Sequence, residues 1–154
     1  MTATVDYNTK LVGELIRSCY KTQEGFRSAA KTVKDDSLKR LFELYAQQRT
    51  RFAAELREHL PFDVWSEEQE LLGEHEGLFK GANRLDSIRE CLAMDARTLA
   101  LYKKALAERA LPTRAHFVIS SQLALMQRVH DRMQMMLQER PTPGPMLMTQ
   151  RISA

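Results

Sequence analysis

Leu15-Ile16-Arg17-Ser18-Cys19 returns in outline as Ser87-Ile88-Arg89-Glu90-Cys91, with Ile16 and Cys19 each 72 residues before Ile88 and Cys91. The same offset carries Gln23 onto Asp95. Each cysteine-bearing stretch is followed by a second long amphipathic stretch, so the repeated unit is a pair of helices. A helical pair cannot bury its own apolar face, and two such pairs pack on one another as a four-helix bundle. The first pair spans residues 6–60 and the second 85–140, related by a pseudo-two-fold axis.

Working outward, Val12, Ile16, Cys19, Phe26, Ala30 and Val33 recur in steps of three and four, which predicts a helix from Asp6 to Val33. Asp35, Asp36 or Ser37 can cap the next helix, which shows Leu38, Leu41, Tyr45, Phe52 and Leu56 before Pro61 stops it. Residues 61–84 are broken by Pro61, Gly73, Gly77 and Gly81, with a short helix expected around Glu67–Leu72. A third helix carries Leu85, Ile88, Leu92, Leu99, Tyr102 and Leu106. Leu111-Pro112-Thr113 then turns the chain, with Pro112 expected in the first helical position, into a fourth helix with Ala115, Val118, Ile119, Leu125, Met126, Val129, Met133 and Met136. Pro141, Pro143 and Pro145 end it, leaving 141–154 as a flexible tail after a single domain, 1–140.

Connections that run short, long, short decide the topology. A helix of about 25 residues is about 38 Å long, and a connection of about 24 residues can return that distance. The expectation is a ferritin-like arrangement with one long crossover; a simple up-down-up-down bundle is the alternative.

Composition excludes several classes. The 154 residues are 44% hydrophobic and 28% charged, ordinary for a soluble globular chain. A net charge of +3 is spread as interleaved acids and bases, which argues against a nucleic-acid footprint. No stretch reaches the roughly 20 apolar residues of a membrane span. The first residues lack a secretory pattern, and two cysteines outside any CxxC suit reduced thiols, so a cytoplasmic location is expected.

Cys19 with Gln23-Glu24-Gly25-Phe26-Arg27, then Arg51-Phe52-Ala53-Ala54-Glu55-Leu56, Glu90-Cys91, and His130-Asp131-Arg132 together resemble a family of uncharacterised bacterial ferritin-like four-helix-bundle proteins. The resemblance spans residues 10–137 and implies the ferritin-like fold. It implies no activity, because that family is defined by similarity. Ferritin-like proteins often hold two iron ions between one Glu on each of two helices and a Glu-x-x-His on each of the others. No Glu-x-x-His occurs in this chain, the nearest motif being Glu55-x-x-Glu58, and no acid lies between Pro112 and Asp131.

The apolar seam holds polar residues instead. Gln23 falls between Cys19 and Phe26, Gln48 between Tyr45 and Phe52, and Asp95 between Leu92 and Leu99. Counting from the first turn puts Gln23 and Gln48 at one level, where their amides are expected to pair, and puts His130 about a turn from Asp95. One reading makes Gln23, Gln48 and Asp95 a buried polar seam that fixes helix register. The other makes Asp95 and His130, with Glu24 or Glu90, the remnant of a site for iron or another divalent metal; amides are poor ligands for hard cations. Cys19 and Cys91 read as small core hydrophobes, with a mutual disulfide open only if their Cα atoms lie within about 7 Å. His59 and His75 have no readable ligand partner, and His116 reads as a surface residue. The methionines of the fourth helix spread apolar surface over more than one face, which points to a homo-oligomer, a dimer in the first instance, or to cover by Met146, Leu147 and Met148. The functional expectation is a non-enzymatic, self-associating structural or stress-related bundle without a cofactor. The alternatives are a ferritin-like metal protein handling iron or oxygen species and a binder of apolar molecules.

Overall fold

A computed structural model describes residues 2–60, 83–108 and 111–139. They form four helices: α1 (Thr2–Thr32), α2 (Asp36–Arg57), α3 (Arg84–Leu106) and α4 (Thr113–Gln138). The all-α, four-helix expectation holds, with no strand among the described residues. The expected short helix at 67–72 and the tail from 141 lie outside them.

Local chemistry sets the helix ends. The Asp35 carboxylate accepts from the backbone N–H groups of Ser37 (2.9 Å) and Leu38 (3.2 Å), capping α2. Asn83 caps α3 by accepting from the Asp86 N–H at 2.8 Å, and its own amide donates to the Asp86 carboxylate at 2.9 Å. Pro112 stands one step before α4, at the cap, not in its first turn; the His116 N–H reaches its carbonyl at 2.9 Å.

Neighbours follow from the contacts. α1 packs against α2 and α3, and α4 against α3 and α2, so α1/α4 and α2/α3 stand on the diagonals. Tyr7 donates to Glu108 at one end, while Ser18 meets Thr98 further along, so α1 and α3 are antiparallel. Arg84, at the start of α3, lies 3.7 Å from Asp35 and 3.9 Å from Glu139 at the other end. α2 and α3 therefore run in the same direction, with Arg57 and Arg84 at opposite ends of the bundle.

The apolar interior is split in two. One cluster, around Leu15, Ile16, Cys19, Phe52, Leu56, Tyr102, Ile119 and Met126, fills the end where α1 starts. The second, around Phe26, Phe42, Tyr45, Ile88, Cys91, Val129 and Met133, fills the opposite end. Thr22, Gln23, Arg49, Asp95 and Thr98 are all buried and form a polar waist between them. Leu125, expected in the seam, is 42% exposed, and Leu85 is 38% exposed; both sit about a quarter turn off the line that packs inward.

Candidate functional site

Four residues of the waist, Thr22, Gln23, Asp95 and Thr98, lie one or two turns past a cysteine, and Arg49 joins them from α2. Arg49 on α2 reaches the diagonal helix α3, and both it and Asp95 are wholly buried. The guanidinium grips the carboxylate with two nitrogens, Nη1 on Oδ1 and Nη2 on Oδ2, the second at 3.2 Å. Its Nε donates to Gln48 Oε1 at 3.3 Å, and its Cζ lies 5.3 Å from the centre of the Phe26 ring. Phe26 packs on Phe42 and Tyr45, with centroids 6.0 and 5.4 Å away. The cation therefore has a carboxylate, an amide and an aromatic face around it, as a charge in an apolar interior requires.

A second network lies toward the other end. Tyr102 donates to Gln122 Oε1 at 2.6 Å. That uses its one hydrogen, so the Cys19 thiol is the donor in the 3.1 Å contact with the Tyr102 oxygen. Gln122 passes the chain on, its amide nitrogen donating to the Phe52 carbonyl (3.2 Å) and to Glu55 Oε1 (2.9 Å). Every helix takes part, α1, α3 and α4 with one side chain each and α2 with the Phe52 carbonyl and the Glu55 carboxylate. Burial pushes the Cys19 thiol up to about 11 and carries Tyr102 well above its ordinary 10.0. Burial also raises Cys91. Both cysteines are free and lie in different apolar clusters. Protonated, enclosed thiols are poor nucleophiles.

The expected seam residues are placed as follows. Gln23 and Asp95 are buried in the waist. Gln48 is half-buried and meets Arg49, not Gln23. With its amide oriented by its neighbours, Gln23 accepts from Thr50 at 2.9 Å and from Arg27 at 3.1 Å. The expected amide pair is thus corrected: one residue step turns 100° on a helix, so Arg49 takes the inward position and Gln48 its edge. The expected contact of Asp95 with His130 is likewise replaced by Arg49.

The residues proposed for a metal do not converge. Glu24 stands at the surface, 3.9 Å from Arg27. Both Asp95 oxygens are engaged by Arg49. Glu90 Oε2 and His130 Nδ1 are buried atoms with no hydrogen-bond partner among the described residues. No group of three or more His, Cys, Asp or Glu side chains that could hold an ion is found among the described residues. A di-iron centre needs several carboxylates without a competing cation, and a guanidinium in the waist is such a cation. These side chains do not fit the group that the resemblance implies.

Sequence reasoning missed Arg49, Tyr102 and Gln122 as functional partners. Ile119, Gln122 and Met126 follow the steps of three and four that mark an inward line, a signal that could have exposed Gln122. No described helix is long and apolar enough to cross a membrane. No curated protein matches the chain. Residues 9–71, which contain the whole α2 and most of α1, match the family model described as a domain of unknown function, DUF2383.

Proposed function

We propose that the chain is a ferritin-like bundle that works as a non-enzymatic, self-associating structural or stress-related protein of the cytoplasm. The observation that carries this reading is the Arg49–Asp95 pair. It places a fixed positive charge in the interior, where ferritin-like proteins gather carboxylates around metal. The diagonal placement of α2 and α3, which run in the same direction, supports the single long crossover between two repeated hairpins. Free, buried cysteines suit a reducing compartment.

Self-association is supported by the outer face of α4. Phe117 is 70% and Met135 63% exposed. They stand 18 residues apart, five full turns, and so lie on one line about 27 Å long. Leu125, nearby on α4, and Leu44 on α2 add to the exposed apolar surface. A homodimer through this face is the expected assembly.

The second reading, a metal protein with a degenerate site, draws support from the unpartnered Glu90 Oε2 and His130 Nδ1. Two measurements decide between them. Elemental analysis of protein purified without chelator is expected to find less than a tenth of an equivalent of iron, manganese or zinc, on the order of adventitious binding. Near-stoichiometric metal that disappears with Asp95→Ala or His130→Ala would overturn the first reading. Sedimentation is expected to show a dimer that Phe117→Lys with Met135→Lys dissociates; a monomeric parent protein would overturn self-association.

A further inference from the structure

Phe117, Ser121, Ala124, Arg128, Asp131 and Met135 are all exposed on α4. On a regular helix they lie within about 40° of one line along its outer face. Phe117 and Met135 close that line, and the level of Met126 is midway between them. We propose that this face docks on the same face of a second copy, the two α4 helices running antiparallel about a two-fold axis at the level of Met126. The inference rests on the self-association read above and adds which residues meet.

A two-fold axis perpendicular to a helix sets each residue before its level against the residue equally far after it, with the angular offset reversed. Phe117 and Met135 are separated by a whole number of turns, so offsets match as well as heights. Phe117 then meets Met135 across the axis, aromatic ring on thioether. Ser121 meets Asp131, a hydroxyl that donates against a carboxylate that accepts. Ala124 meets Arg128, whose aliphatic stem lies over the small side chain. Beside the line, Ser120 meets Arg132 and Arg114 meets Gln138. Each contact occurs twice, and none sets like charge directly on like.

Other arrangements of the same face are worse matched. Parallel helices would place Arg128 on Arg128 and Asp131 on Asp131, a juxtaposition that costs affinity. Sliding the antiparallel pair by one turn puts Arg128 against itself and Phe117 against Glu139. Sliding it one turn the other way sets Phe117 on Asp131. Chemistry matched about one level is what a self-complementary interface requires, whereas an unrelated partner would need no such match between the two halves of α4.

Distances make the pairing testable. With helix axes about 9 Å apart and Cα atoms about 2.3 Å from each axis, Ser121 and Asp131 come within about 6 Å across the axis. The two copies of Ser121 would stand about 15 Å apart along the helices, as would the two copies of Asp131. Ser121 and Asp131 of one chain are separated by about the same 15 Å.

The test is mild oxidation of the full chain, read on a non-reducing gel beside sedimentation. Ser121→Cys combined with Asp131→Cys is expected to give a covalent dimer, because the facing pair is within the disulfide reach of about 7 Å. Neither single variant should cross-link alone, and an equimolar mixture of the two should. Both positions are exposed, and the parent protein controls for the buried Cys19 and Cys91. Phe117→Lys is expected to weaken the dimer about thirtyfold, and adding Met135→Glu to regain about tenfold, since the new charges oppose each other across the axis. A sedimenting dimer whose double cysteine variant fails to cross-link, or whose single variants cross-link as readily, overturns the antiparallel pairing and leaves self-association standing. No recovery with Met135→Glu also overturns the pairing. A monomeric parent protein overturns both and leaves the face to another occupant.

Discussion

Replacing Arg49 by Met, Asp95 by Leu, and both together tests what the waist contributes. Both side chains are 0% exposed, so either single change leaves a charge in the interior without its partner. Such a loss costs about 3–5 kcal/mol, whereas an apolar pair of similar volume is neutral or gains about 1–4 kcal/mol. Against a domain stability of about 5–15 kcal/mol, each single variant is close to the folding limit. For a chain of this size the singles should melt roughly 6–20 °C lower. Arg49→Met should be the worse at neutral pH, since it also forfeits the contact with Phe26, about 0.5–2 kcal/mol. Urea unfolding followed by helical circular dichroism at pH 7 measures all three variants. A double variant as unstable as the sum of the singles would refute the reasoning, since each residue would then act without the other.

Tyr102→Phe strands the Cys19 thiol and the Gln122 carbonyl and should cost about 1–3 kcal/mol in urea unfolding; a change under about 0.3 kcal/mol would show that the network contributes nothing. Alkaline stability should decline. Folding raises Cys19 from 9.0 to about 11, and raises Cys91 and Tyr102, so above pH 9 the unfolded chain releases protons that the native state retains. Stability is full below pH 9 and falls as pH rises toward 11, by at most about 1.4 kcal/mol per pH unit for each group. Cys91→Ala should make the fall shallower, and an unchanged slope would count against the enclosed thiol. Asp35→Ala removes the α2 cap and should lower stability by about 1 kcal/mol, read from the urea midpoint, with Asp35→Asn largely preserving it.

The helices were legible because their apolar positions keep a period that local chemistry enforces. A cap among Asp35, Asp36 and Ser37, which proves to be Asp35, and Ile16, Cys19, Ile88 and Cys91 as interior residues, follow from that period and from elementary capping. The waist was half legible. Gln23 and Asp95 interrupt an apolar line and could be placed on it. Arg49 could not be told from Gln48, because 45, 48, 52 and 45, 49, 52 are equally good helical steps. An arginine turns inward where a buried carboxylate receives it, and here that carboxylate stands on a helix remote in sequence. The Tyr102–Gln122–Glu55 chain was hidden for the same reason, since its members meet only once four helices are assembled.

A square of four rods joined along its edges can still shear into a rhombus. The edges here are the packed helix pairs, whose apolar contacts tolerate sliding because they have no direction. Arg49 and Asp95 join opposite corners with two directional bonds, at a length set by one arginine side chain. The pair is thus a cross-brace: it fixes the cross-section of the bundle, where the apolar clusters fix only its compactness. Substituting it by apolar residues could leave a more stable protein with a softer outline, its four helices free to lean.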